Sequence, residues 1–225
     1  MLVIFDVDGT LIGGESYDWT CFNRAIASVL GFSPTTHFFS SLPEITAQAI
    51  AEAAIQMANR DLATGLEERI RDDYLRGLRQ VHAANPLAFP ARDGAVALLA
   101  HLNSMPGVNV AIATGDWHST ISFKLAAAGL DVSRYAMATS SDTNRRSEII
   151  QLAARRANRS LRDTIYVGDG VWDFRACRDL GVPFLGTGSR PHLLKEVGAK
   201  HVVEAFEIAS FLAALHTASN ASRAS

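Results

Sequence analysis

The chain opens with four consecutive apolar residues, Leu2-Val3-Ile4-Phe5, that run directly into an acid, Asp6. A short apolar run without polar alternation suits a strand covered on both faces, and such strands belong to parallel sheets. The pattern returns at residues 108–113, 164–167 and 183–186, and more weakly at 135–139, with 201–203 as a candidate last edge strand. Between these runs, residues 119–128, 147–157, 172–180 and 206–215 carry apolar positions at helical spacing. Strands alternating with helices predict an α/β fold built on a parallel sheet flanked by helices.

Residues 13–89 break the alternation, because they contain no convincing strand. Residues 17–30 place Trp19, Phe22, Ile26 and Val29 on one helical face, and Gly31 is a good stop. Ser41 with Glu44 has the spacing of a capping box, with Pro43 in the first turn of an alanine-rich helix toward Asn59. Thr64 with Glu67 has the same spacing ahead of the stripe Leu66, Ile70, Tyr74, Leu78 and Val81, which Asn85-Pro86 ends. The expected organisation is a core of residues 1–12 and 90–216, a helical insert at 13–89, and a frayed polar end at 217–225.

Charge and cysteine content narrow the class of partner. The formal net charge of −2 offers no general attraction for nucleic acid or anionic membrane. Cys21 and Cys177 lie far apart outside any metal or redox motif, so two free thiols are expected. The N-terminal apolar run is too short for a signal peptide and no stretch is long enough to span a bilayer, so the expected location is cytoplasmic.

The chemistry-bearing residues sit where apolar runs end. Asp6-Val7-Asp8-Gly9-Thr10-Leu11 follows the first strand, at the edge where open α/β sheets bind ligands. Gly9 and Thr10 supply a turn that lets two carboxylates aim at one site, one to attack and one to handle protons. A calcium loop would want glycine at Leu11 and a helix on each side, and neither is present. Thr114-Gly115-Asp116 ends the second run, offering a hydroxyl and backbone N–H groups suited to phosphate oxygens. Asp116 and Ser119 also suit simple capping of the next helix. Gly168-Asp169-Gly170-Val171-Trp172-Asp173 again pairs a strand end with acids, and one or two carboxylates suffice for a magnesium ion. Asp169 suits direct ligation, and Asp173 either contacts the ion through water or caps the helix. Positive charge would come from Arg145 or Arg146 at a helix start, one of the two being solvated.

This order of strand and Asp-x-Asp-Gly-Thr, helical insert, strand and Thr-Gly, basic residue, then strand and Gly-Asp-x-x-x-Asp resembles the haloacid dehalogenase superfamily, over nearly the whole chain to about His216. The resemblance implies a Rossmann-like core with a type-one helical cap. It implies Asp6 as nucleophile and Asp8 as general acid/base, with Thr114 and the Gly115 N–H holding the phosphoryl group. It also implies Mg²⁺ bound by Asp6, the backbone carbonyl of Asp8 and Asp169, with Asp173 in support. The family usually has lysine at the third motif. Only three lysines occur, Lys124, Lys195 and Lys200, and none falls there. Arg146 fits best, because Ile149 then begins the apolar helix face. Arginine keeps the charge but reaches differently.

Asp8 favours phosphoryl chemistry over dehalogenation, since halide leaves without a proton. Phosphonoacetaldehyde hydrolases use a Schiff-base lysine in the cap, and residues 13–89 contain no lysine. The expected function is therefore a Mg²⁺-dependent phosphatase acting on a small soluble phosphate monoester through an aspartyl-phosphate. A phosphosugar mutase or a non-catalytic binding protein on the same fold are the alternatives. Candidate specificity residues are His37, Phe38, Phe39, Thr46, Arg24 and Arg60 in the insert, with Trp117 and Trp172 beside the catalytic loops.

Overall fold

The computed structural model describes the backbone of residues 1–223, and the side chains except those of Ala63 and residues 220–223. Among the described residues, β1 (Leu2–Phe5) is followed by α1 (Glu15–Leu30), α2 (Thr36–Ser41), α3 (Ala47–Met57) and α4 (Leu66–Ala84). Then come α5 (Ala95–Ser104), β2 (Asn109–Ala113), α6 (His118–Ala127), β3 (Ala136–Ala138) and α7 (Arg146–Arg156). The chain continues through β4 (Thr164–Gly168), α8 (Val171–Leu180), β5 (Phe184–Gly186), α9 (Pro191–Glu196) and α10 (Ile208–Arg223).

All strand pairings are parallel, in the order β3-β2-β1-β4-β5. The central strand β1 is buried along its whole length, which is why its sequence shows no polar alternation. Phe5 lies opposite Ile112 on one side and Val167 on the other. This register brings the loops carrying Asp6, Thr114 and Asp169 to the same carboxyl edge. Val3, Phe5, Ile112 and Val167 pack on one face with α5 and α10, whereas Leu2, Ile4, Ala113 and Tyr166 pack on the other with α7 and α8. A third cluster forms among the helices of the 13–89 segment, and Trp117 of the core joins it.

Several expectations change in detail. Residues 201–203 make only a bridge, Gly186 with Val202, not a strand. Helix α5 was not anticipated; its segment AVALLAHLNS is apolar around most of its circumference and gives weak periodicity. Neither proposed capping box forms. Ser41 ends α2 and donates its hydroxyl to Phe38 O at 2.7 Å, while Glu44 accepts the Arg146 N–H. The hydroxyl that caps α3 belongs to Thr46, which accepts from Ala49 N. Thr64 likewise turns back to Asp61 O, and Gly65 precedes α4 with no side-chain cap. A matching spacing therefore found the vicinity of each helix start and misplaced the cap. At the end of the chain α10 runs to Arg223 and Ala218 is buried, while residues 224–225 of the polar end lie outside the described residues. Cys21 and Cys177 are buried and free, as expected.

Gly13 and Gly14 lie where the chain leaves the sheet for the insert, and only one of them is constrained. Gly14 has φ +97°, and a Cβ there would fall 2.2 Å from the Ala88 carbonyl oxygen; a Cβ on Gly13 meets ordinary contacts. Gly14→Ala should therefore destabilise the protein by about 1–3 kcal/mol, whereas Gly13→Ala should stay within about 1 kcal/mol of the parent. Denaturant midpoints of the two variants test this, and equal losses would contradict it.

Candidate active site

Asp6 continues the sheet ladder by donating its N–H to Val167 O at 2.9 Å, which fixes its carboxylate at the sheet edge. The chain then folds over itself: Val7 O accepts from the N–H groups of Thr10, Leu11 and Ile12. Gly9 makes this turn possible, with φ +76° and a hypothetical Cβ only 2.3 Å from the Asp169 carboxylate. The two nearby acids face different partners. Asp6 faces Asp169 and Asp173, whereas Asp8 reaches Lys124 Nζ at 2.7 Å.

Asp6, Asp169 and Asp173 each bring one oxygen to a cluster spanning at most 4.8 Å. Asp173 is fully buried; it accepts from Gly170 N and the Tyr166 hydroxyl, each at 3.1 Å, so it is both a helix-start acceptor and a member of the cluster. Burial raises the Asp6 carboxyl well above its ordinary range, and Asp173, Asp169 and Asp8 push the same way while Arg146 opposes them. Burial and Asp173 likewise lift Asp169 to about 7. Oxygen donors crowded this way fit a hard divalent cation, which would relieve the repulsion. The Asp8 carboxylate is turned toward Lys124, so its side chain is not one of the three.

The structure places the two candidate arginines differently. Arg146 is 5 % exposed, and its Nη1 lies 3.3 Å from Asp6 and 3.1 Å from Asp173. Its Nη2 donates to Ile45 O in the insert. Arg145 points outward to Glu148 with a side chain 61 % exposed. Thr114 is buried at the end of β2, and its hydroxyl accepts from Asp116 N at 3.2 Å. Gly115 has no room for a side chain, since a Cβ would fall 2.3 Å from Arg146 Nη2.

Sequence reasoning missed Lys124. It sits on α6, 0 % exposed, and pairs with Asp8 at 2.7 Å, Asp18 at 2.6 Å and Asp116 at 2.9 Å. Burial opposes its charge, but Asp116, Asp18 and Asp8 outweigh that and hold the ammonium well above its usual value. A lysine so held has no free lone pair to attack a carbonyl. Burial lifts Asp8 to about 8 against the pull of Lys124. The available signal was a lysine between Ile121 and Leu125 on the inward face of a helix.

A family model described as haloacid dehalogenase-like hydrolase matches residues 1–181. The chain belongs to the haloacid dehalogenase-like hydrolases. No curated protein matches it. Solved structures match over nearly its full length. A hydrolase from Pseudomonas syringae is 19 % identical at TM-score 0.75, over 96 % of this chain and 97 % of that one. CbbY from Rhodobacter sphaeroides in complex with phosphate gives the same identity and TM-score, over 96 % and 98 %. A β-phosphoglucomutase from Clostridium difficile is 18 % identical at TM-score 0.74, over 100 % and 99 %. At these identities the likeness is one of fold.

In this haloacid dehalogenase-like hydrolase the insert lies against the catalytic loops. Ala47 N donates to Gly115 O at 2.7 Å, the Thr46 hydroxyl to Asn144 O at 2.8 Å, and Asn144 to Glu52 at 2.7 Å. A cavity open to solvent remains between insert and core, reached by Asp6, Asp8, Thr114 and Arg146 from below and by Asp18 and Trp19 from above. Of the specificity candidates, Thr46 and Trp172 line it. Phe39 lines an adjoining hollow that shares Trp19, Ile45 and Trp172 with this cavity. Phe38 and Trp117 are buried in the insert's apolar cluster, where Trp117 Nε1 donates to Gln48. His37, Arg24 and Arg60 are exposed and do not line the cavity.

Removing Arg146 would leave Asp6 and Asp173 facing each other without their cation. Arg146→Met should destabilise the protein by about 3–5 kcal/mol, whereas Arg145→Met should change stability by no more than about 1 kcal/mol. Urea unfolding measures both, and comparable losses would contradict the placement.

Proposed function

We propose that this hydrolase is a Mg²⁺-dependent phosphatase that cleaves a small phosphate monoester through an aspartyl-phosphate on Asp6. The observation that carries the reading is the different wiring of Asp6 and Asp8. Asp6 stands beside Arg146 and two further carboxylates, and Asp8, two residues on, stands in a separate cluster around Lys124. One carboxylate is thereby placed to attack and the other to carry a proton.

Asp6, Asp169 and the backbone carbonyl of Asp8 would hold the magnesium ion, with Asp173 in support. Bound there, the ion neutralises the charge shared by the carboxylates and the phosphate. Arg146, Thr114 and the Gly115 N–H hold the phosphoryl oxygens, and Arg146 offers two donors to them. An Asp6 oxygen attacks phosphorus, the bond to the leaving oxygen breaks, and that oxygen takes the proton of Asp8. Water then attacks the phosphorus of the aspartyl-phosphate and gives its proton to Asp8. The bond to Asp6 breaks, phosphate leaves and both acids are restored.

Residues 13–89 act in this reading as a cap over the site. Its contacts to Gly115 and Asn144 hold it over the cavity, and a site set between two lobes suits a metabolite better than a folded macromolecule. A mutant of CbbY of Rhodobacter sphaeroides has been solved in complex with xylulose-(1,5)bisphosphate. Among the described residues no helix is long and apolar enough to cross a membrane.

Asp6→Asn should abolish turnover of 4-nitrophenyl phosphate while preserving the melting transition, because an amide cannot form the acyl-phosphate. Chelation should silence the parent enzyme, and Mg²⁺ should restore it. Turnover by Asp6→Asn within about tenfold of the parent would overturn the assignment.

A further inference from the structure

The Lys124 cluster joins parts of the molecule that the proposed reaction leaves separate. Two of its carboxylates, Asp8 and Asp116, belong to the core. Asp116 is held rigidly, since its Oδ1 accepts from Trp117 N and the Thr120 hydroxyl, each at 2.7 Å. The other half of the shell comes from the insert. Asp18 on α1 lies 2.6 Å from Lys124 Nζ, and the Tyr74 hydroxyl on α4 accepts from Nζ at 3.3 Å while donating to Asp18. An ammonium has three donors and no acceptor. All three are shared between the proton-handling acid, a fixed core acid, and a pair from the cap.

That sharing makes the attitude of Asp8 depend on the cap. Lys124 holds the Asp8 carboxylate at the edge of the cavity that Asp8, Asp18 and Tyr74 line, and Asp18 and Tyr74 hold Lys124 from the insert. Apart from Asp18, the carboxylates on the ammonium are the core's own, Asp8 and Asp116. We propose that Lys124 is a positioning residue for Asp8, set by Asp18 and Tyr74, so that Asp8 is aimed at the leaving oxygen only while the cap is seated. The proposal rests on the reading of Asp8 as the acid that protonates the leaving oxygen.

The test uses the full chain with Mg²⁺ and two esters of similar shape, benzyl phosphate and 4-nitrophenyl phosphate. The alkoxide needs a proton to leave and the nitrophenolate does not. Asp18→Asn should lower the ratio of kcat/KM for benzyl over 4-nitrophenyl phosphate by about tenfold, a part of the 10²–10⁴ that an acid group supplies. Tyr74→Phe, which removes one hydroxyl and keeps the ring, should shift the ratio in the same direction by less. In an Asp8→Asn background, adding Asp18→Asn should leave the ratio unchanged, because the two act through one group. An equal loss on both esters, or a second loss of the ratio in the Asp8→Asn background, would overturn the proposal. If Asp8→Asn itself leaves the ratio at the parent value, the failure lies earlier, in the acid role of Asp8, and the proposal falls with it.

Discussion

Six carboxylates, those of Asp6, Asp8, Asp18, Asp116, Asp169 and Asp173, converge on or beside one cavity between core and insert. Two like charges 4 Å apart near a protein surface repel by roughly 4 kcal/mol, and more where the medium is less polar. Two buried cations divide the load. Arg146 lies between Asp6 and Asp173, and Lys124 lies among Asp8, Asp18 and Asp116. The insert contributes to both nodes, through Ile45 O on Arg146 and through Asp18 on Lys124. Its seating is therefore tied to the same electrostatics that keep the catalytic loops together.

The division gives meaning to a two-residue spacing. In an extended strand Asp6 and Asp8 would point to the same face and compete for one partner. Here they part, and each meets a different cation. Arginine suits the first node because its planar fork meets Asp6, Asp173 and a backbone carbonyl at once. Lysine suits the second, where a compact charge meets three acids from three directions. The family's usual third-motif lysine is thus absent while a different lysine serves the neighbouring acid, and neither cation can be read as a simple replacement of the other.

The sheet was legible because β1, β2 and β4 are buried on both faces and their sequences show it without ambiguity. The acids at their ends were legible because the register leaves them nowhere but the carboxyl edge. Arg146 could be favoured over Arg145 from the position of Ile149, since the two arginines lie about 100° apart around the helix. Other features depend on contacts that no local pattern carries. Ser41 and Glu44 match a cap in spacing, yet Glu44 finds its donor on α7, more than a hundred residues away. The position of Lys124 beside Ile121 and Leu125 marks it as inward-facing, but its partners on α1 and α4 leave no mark near it. Asp18 lies on the same helix as an apolar face that reads as bundle core, and Tyr74 reads as part of an apolar stripe although its hydroxyl belongs to the ion cluster. A charged network shared by distant segments leaves no periodic trace.

The central claim is that the phosphoryl group passes through Asp6. Acid quench during turnover with Mg²⁺ and 4-nitrophenyl phosphate, followed by borohydride reduction and peptide mapping, reads it directly, because reduction converts an aspartyl-phosphate to homoserine. The account predicts homoserine at position 6, present only when ester and Mg²⁺ are both supplied. Homoserine at position 8 or 169, or continued turnover with position 6 unmodified at every quench time, would contradict it.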